Sequence, residues 1–442
     1  MFRLEMKRIF SKKINRFALV TAMILAVIFA GFAVTSNRYV KEDGTISTAP
    51  TSARKLSANK NQWSGTLTPE TLVKAYTQNK ESQTNYTVEE LDRQYGTLLQ
   101  PIDDIKTFLT SVLTPESDYD ESVLDQADET TIRNIYSTYQ ENMKQEAETC
   151  GHTPVQQKYL KNIYNKIKLP LQYEAYTSWD TMIMYAETYG IILAIIIGFM
   201  CAGIFADDFQ LKADAVFYAT KYGRTKAIKI KILAALCTTT AVYCTGITLL
   251  SALSFAIMGT SGIDTMYQLQ EPYSIYIMTF GQYYLLTLTC GYIASLLAAS
   301  LSMLTAAITR TISVAVGIPF FLYCVLTFIG RALSKYAGVF NLMSSILTNT
   351  GNYADAINIY QFGPFMVRQI PLVMVLYTVT SLLVFPLIYR KLHQGGRNRR
   401  QYMTGKRYVF LEYAKSELEY LKTPQGAYDG NMEMIYLLQF LR

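Results

Sequence analysis

Long stretches of this chain carry no charge, and their lengths constrain the fold more than any motif does. Six apolar runs stand out: Phe17–Ser36, Tyr185–Ala206, Ile232–Met258, Ile275–Ile308, Ile312–Gly330 and Val367–Tyr389. A helix needs about 20 apolar residues to cross the hydrocarbon core of a bilayer. It must also satisfy every backbone N–H and C=O internally, because no water is at hand there. The fourth run is long enough to tilt or to continue out of the membrane. Half of the 442 residues are apolar and 17% are charged; a soluble domain would spread that charge along its length. The expected fold is an all-α polytopic membrane protein with six transmembrane helices.

Lys and Arg near the ends of spans favour the cytoplasmic side. Residues 1–16 carry six basic side chains against Glu5, net +5. The block 37–182 is net −6, the 207–231 connection +3, the 259–274 loop −2 and the 390–442 tail +5. The signs alternate as they should if both the N and C termini are cytoplasmic and 37–182 is extracellular. The first span reads as a retained helix, since its apolar core of about 18 residues exceeds the 7–15 of a signal peptide. The chain then divides into a basic N-terminus (1–16), helix 1 (17–36), an extracellular domain (37–182), helices 2–6 (183–389) and a cytoplasmic tail (390–442).

Helical periodicity runs through Thr68–Ser82, Glu89–Leu113 and Glu116–Cys150, the last anchored by Ser122, Ile132, Ile135 and Tyr139. Thr68-Pro69 and Thr114-Pro115 are start signals, a capping hydroxyl before a proline in the first turn. The block 37–182 therefore reads as a mostly helical domain, partly mobile around Lys41–Gly65. It is either a ligand-capturing module or a solvated linker. Of the six cysteines, Cys150 alone lies outside the expected spans, which rules out a disulfide framework within one chain.

Two spans carry small residues every fourth position: Gly190, Ala194, Gly198 and Ala202 in the second, and Gly291, Ser295 and Ala299 in the fourth. Such stripes let helix backbones approach closely where lipid supplies no hydrophobic driving force. They predict helix–helix contact, with the chain's own neighbouring helices or with another subunit.

Catalytic chemistry finds no footing. The only histidines are His152 and His393, which leaves little for imidazole catalysis or metal ligation. No phosphate-binding Gly-x4-Gly-Lys-Ser/Thr, no His-Glu-x-x-His and no nucleophile elbow occurs. No metal site, no catalytic residue and no cofactor held by this chain is expected. Within the apolar runs Glu187 is the only acid. An acid at membrane depth points to function by default, but aromatic neighbours from Trp179 to Tyr189 suggest an interfacial position. A proton-coupled carrier would need several such acids.

The most telling connection lies between the second and third runs. Asp207-Asp208 ends the second; an amphipathic stretch, Phe209–Thr220, follows, and then Lys221-Tyr222-Gly223-Arg224-Thr225-Lys226, Lys229 and Lys231. Phe209, Ala213, Val216 and Phe217 share one helical face. Asp207 and Asp208 at the start and Lys221 and Arg224 at the end suit the helix dipole, and Gly223 would close the helix as a left-handed cap. Such a helix either floats on the inner leaflet or acts as a lever against a partner.

Six spans with both ends inside, an acid after span two, and this Tyr-Gly-Arg turn resemble the permease subunits of type-2 ABC exporters. The resemblance covers the spans, about two-thirds of the chain. It implies that 207–228 is a coupling helix contacting an ATP-binding cassette ATPase subunit, with Asp208, Lys221, Tyr222, Gly223, Arg224 and Lys229 (or Lys231) as coupling residues. It implies ATP used by that partner, a second permease copy or homologue, a bacterial plasma-membrane location and an amphipathic cargo such as a peptide, lipid-like molecule or antibiotic. Nucleic acid is not an expected partner. The large 37–182 block and a long tail depart from a minimal member. In the tail, a basic hinge at 395–400 precedes an amphipathic run (Tyr408–Leu421) and an apolar end (Met434–Leu441). The competing reading is a membrane receptor or assembly scaffold that senses a ligand with the 37–182 domain.

Overall fold

A computed structural model of the chain describes residues 1–114, 122–211, 213, 220, 222–333 and 342–393. Six of its helices are long and apolar enough to cross a membrane: Lys13–Ser36, Thr177–Gln210, Thr225–Met258, Phe280–Thr309, Ile312–Ile329 and Gln369–His393. The architecture is all-α and multi-pass in character. A short helix, α1 (Phe2–Ser11), precedes the first of the six, α2 (Lys13–Ser36).

Residues 37–176 form a mostly helical domain between α2 and the second long helix. It holds α3 (Ser52–Lys60), α4 (Pro69–Asn85), α5 (Val88–Leu98), α6 (Asp103–Leu113), α7 (Ser122–Gln126), α8 (Glu129–Arg133), α9 (Ile135–Cys150) and α10 (Pro154–Tyr164). Two short antiparallel pairs tie it together: β1 (Tyr39–Val40) with β2 (Ile46–Ser47), and β3 (Gly65–Thr66) with β4 (Gln172–Tyr173).

Three expectations for this domain need correction. Glu89–Leu113 is two helices, because Pro101 opens a 3₁₀ turn at Gln100–Ile102 and cannot donate the helical hydrogen bond there. The single helix expected over Glu116–Cys150 is interrupted: residues 115–121 lie outside the description, Asp128 accepts from Thr131 N and caps a new start, and α9 begins at Ile135. Lys41–Gly65 is structured; α3 buries Ala53, Leu56 and Lys60. The Lys60 ammonium lies 2.6 Å from Asp104 and 3.3 Å from Asp103. Burial alone would lower its pKa, but the two carboxylates more than offset this and hold it raised.

The long helix α11 (Thr177–Gln210) is the spine of the bundle. At 34 residues it is roughly 50 Å long, more than a bilayer core needs, so both polar ends extend past the apolar run. It starts eight residues before the expected Tyr185 and continues through Asp207 and Asp208. After the turn Gly223–Ala227 comes α12 (Ile228–Met258), then α13 (Phe280–Thr309) and α14 (Ile312–Phe320). Beyond Pro319 the helix loosens into a π turn at Phe321–Val325 and resumes as α15 (Leu326–Leu333). Proline removes an N–H donor and sets such irregularities. A four-residue helix, α16 (Gly351–Ala354), and a hairpin of β5 (Ile359–Phe362) and β6 (Phe365–Arg368) lead into α17 (Gln369–His393).

The fourth span begins at Phe280 rather than Ile275, because Thr279 and Gln282 form a reciprocal capping box there. Ile275 and Tyr276 are buried instead in the 259–279 connection, which holds the 37–176 domain to the bundle. Tyr139 and Tyr164 donate to the carbonyls of Pro272 and Tyr273, at 2.6 and 2.9 Å. Tyr176 stacks on Phe280 with centroids 4.2 Å apart.

α11 packs most extensively on α13 and also meets α2, α12 and α14. α2 turns Ala22, Ala26, Ala30 and Ala33 inward and leaves Phe17, Val20, Ile24 and Phe32 exposed. An apolar outer face suits lipid as its solvent, where no hydrophobic force drives it inward.

Candidate functional site

Two constellations stand at opposite ends of α11. The first gathers at its C-terminal turn. Arg8 of α1 lies 2.9 Å from Asp208, donates at 2.9 Å to the carbonyl of Ile204, and pairs with Glu5 at 3.0 Å. Lys12 pairs with Asp207 and reaches the Gly203 carbonyl. Lys231 of α12, fully buried, pairs with Asp208. Three bases meet three acids, so the knot is neutral, as a cluster withdrawn from water must nearly be. It joins α1, α11 and α12 into one body.

The local sequence explains why each partner arrives. Phe2, Met6, Ile9 and Phe10 fall on one helical stripe, which lays α1 against α12 and points Glu5 and Arg8 toward the end of α11. Asn15 Nδ2 donates to Ile9 O at 2.9 Å and fixes the α1–α2 turn. Around the knot, Arg310 sits over the Phe209 ring at 5.4 Å and Lys229 over Tyr389 at 5.7 Å. The ends of α13 and α17 therefore converge on the same region.

This geometry revises the reading of the connection. Asp207 and Asp208 are not the first turn of a surface helix; they belong to the last turn of α11, because Arg8, Lys12 and Lys231 compensate them there. Gly223 is not a left-handed cap but the first residue of a π turn running into α12, which such insertions often mark near functional sites. Lys231, not Lys229, holds the acid after span two. Tyr222 is 70% exposed. Lys212, Asp214–Ala219 and Lys221 lie outside the described residues, as does the side chain of Arg224, so the Phe209–Thr220 amphipathic stretch is described only at its edges. The tail segments 395–400, Tyr408–Leu421 and Met434–Leu441 also lie outside.

The second constellation is a cavity of about 580 Å³ at the end of the bundle next to the 37–176 domain. The first turns of α11, the 267–271 turn, α13, the π turn after α14 and the 348–355 segment line it, and it is half-open. Four carboxylates line it, Asp180, Glu187, Glu271 and Asp355, and none of the described lining residues is basic. Asp355 accepts from the Tyr267 hydroxyl at 2.6 Å, and Asp180 from Gln270 at 3.2 Å. Glu187 accepts from the Thr350 hydroxyl and, at 2.9 Å, from Gly351 N. Its side chain is half-buried against the 350–351 turn. Glu271 has no hydrogen-bond or ion-pair partner among the described residues. Burial, with Asp355 and Asp180 adding to it, pushes its carboxyl up to about 7. Burial also raises Asp355, against the Tyr267 hydrogen bond.

The small-residue stripes meet this chain's own helices. A Cβ on Gly198 would stand 2.4 Å from Pro319 Cγ of α14, and one on Gly291 2.6 Å from the Tyr243 hydroxyl of α12. Ala202 packs with Ala206, Ala306 and Ala315 in a small apolar cluster. Ala194, Ser295 and Ala299 are buried, and Ser295 donates back to Gly291 O at 3.0 Å. Gly190 is the exception, with open space where its Cβ would be.

Sequence reasoning passed over Arg8, Lys12, Asp180, Glu271 and Asp355. The stripe Phe2, Met6, Ile9, Phe10 was the available signal for α1. For the cavity there was none, since its acids come from segments far apart in the chain. The chain matches no family model, no curated protein and no solved structure.

Proposed function

We propose that the chain is the permease subunit of an ATP-binding cassette transporter in a bacterial plasma membrane. It pairs with a second copy or a homologous permease and with separate ATPase subunits, and it exports an amphipathic substrate. In this reading the 1–16 segment, the 207–231 elbow and the tail face the cytosol, and the 37–176 domain lies outside. The observation that carries it is the neutral knot of Glu5, Arg8, Lys12, Asp207, Asp208 and Lys231. A push on the elbow from a soluble motor needs a stiff joint to move helices rather than bend a loop, and this knot couples α1, α11 and α12 directly behind the Tyr222-Gly223-Arg224 turn. ATP hydrolysis biases the spans only through contacts that differ between the two conformations, and the elbow is where such contacts would form.

The test is accessibility and coupling together. A cysteine placed at Tyr222 is expected to resist membrane-impermeant maleimide in intact cells and to react in inverted vesicles. Arg224→Glu is expected to release the ATPase subunit from the purified complex while membrane insertion continues. Labelling from outside intact cells ends the proposal.

A receptor or scaffold remains the second reading, favoured by one observation. A groove of about 420 Å³ between α9 and α10 carries Lys144 and Lys161 beside Met143 and Tyr164. Deleting residues 40–170 separates the readings: a permease keeps ATPase association and stimulated turnover, a receptor loses its response.

A further inference from the structure

We propose that the cavity between the first turns of α11, α13 and the 348–355 segment is a binding site for an amphipathic organic cation. Carboxylates alone would make only a negative surface. Here they stand in a half-open pocket of about 580 Å³, within the range that holds drug-sized ligands. Its walls alternate charge with apolar and aromatic faces: Tyr267, Tyr283, Tyr323 and Phe328 beside Ile183 and Ile191. Aromatic faces attract a desolvated cation, and the apolar wall takes its hydrocarbon body.

The charge balance favours a positive guest. Four acids line the space and, among the described residues, no base does, so no described wall residue neutralises them. Glu187, Asp180 and Asp355 each accept hydrogen bonds from the wall, which holds them in place. The Glu271 carboxylate accepts none among the described residues. The Gln270 side-chain oxygen is likewise buried without a hydrogen-bond partner. A cationic guest would set its positive charge against both groups.

A metal ion does not fit. Among the described residues no three His, Cys, Asp or Glu side chains converge closely enough to ligate one. The acids are spread around the wall, and spread acids suit a bulky cation better than a point charge. As a cargo site the cavity rests on the permease reading above; as a binding site it stands without it.

The test uses the full chain in phosphatidylcholine nanodiscs, with empty nanodiscs as background. The probes are tetraphenylphosphonium and its anionic counterpart of the same shape, tetraphenylborate. Saturable binding of the cation alone is expected. Glu271→Gln should weaken it about threefold and the double change Glu271→Gln with Asp355→Asn about tenfold, as expected from losing one and then two partly buried charges. Asn352→Asp, which adds a charge to the same wall, should tighten binding and remains informative where the neutralised variants fail to fold.

Equal affinity in the double variant, no response to Asn352→Asp, or equally tight binding of the anion overturns the proposal, as does the lack of saturable binding by the unchanged chain. Cation binding that behaves as described in a chain that never co-purifies with an ATPase would sink the permease reading and leave the site standing.

Discussion

Lys231 and Asp208 are buried together, with Arg8 as a third member. Withdrawing two charges from water costs nearly what their attraction returns, so such a pair adds little net stability, but removing one partner strands the other. Lys231→Met is therefore expected to cost about 3 kcal/mol, at the low end of such cases because Arg8 still faces Asp208. Adding Asp208→Asn should restore most of it. Thermal unfolding of the two variants in detergent, side by side, measures the difference. Glu271 makes the second prediction at this scale. Held up to about 7 by burial and by Asp355 and Asp180, with Glu187, Tyr267 and Tyr283 on the facing wall, it is largely neutral at pH 6 and charged at pH 8. Affinity for tetraphenylphosphonium should therefore rise over that range by about the threefold that Glu271→Gln removes. A flat profile would show that the other three acids suffice. Sequence reading reached Asp208 but assigned it to the wrong helix. Its partners lie about 200 residues upstream and some 20 downstream, and no local pattern encodes such a pairing.

At the scale of elements, hydropathy and small-residue spacing are local properties, and the six long helices and their stripes could be read from them. What the spacing could not give is which member of a stripe touches a neighbour, because that depends on how each helix is rotated and where it crosses the next. Gly198 and Gly190 show the difference. A methyl at 198 would collide with the ring of Pro319, while at 190 it meets nothing. Gly198→Ala should lower the melting temperature, since the α11–α14 contact must open for it. Gly190→Ala should leave it unchanged or raise stability by about 0.5–1 kcal/mol, the usual gain for replacing glycine within a helix. A loss at both positions would mean that position 190 also packs closely, against a partner chain. The ends of helices were legible only where a cap announced them, as at Thr68. The 177–184 extension of α11 mixes Asp180 and three hydroxyl side chains with Trp179 and Met182–Met184, so hydropathy alone does not mark it; Ser178 donates to Met258 O at the end of α12 and Trp179 Nε1 to Thr260 O in the 259–279 connection.

For the whole molecule, the arrangement along α11 matters most. The cavity opens among its first turns and the ion-pair knot closes on its last, roughly 30 Å apart along one continuous helix. If the elbow drives the bundle, α1 is part of the drive train rather than an anchor, since α1 and the Lys12 that follows it supply two of the three bases that clamp the end of α11. Deleting residues 2–12 should then spare insertion and the fold of 37–176, while Lys231 alone faces both acids and the joint loosens. The expected phenotype is an ATPase that still binds but is no longer stimulated by tetraphenylphosphonium, with affinity for the cation itself unchanged. Turnover assays on the reconstituted complex, paired with binding to the truncated chain, separate that outcome from simple misfolding. Stimulation that persists without α1 would place the coupling in α12 and the undescribed 214–219 stretch, and would leave the N-terminal helix as a brace for assembly.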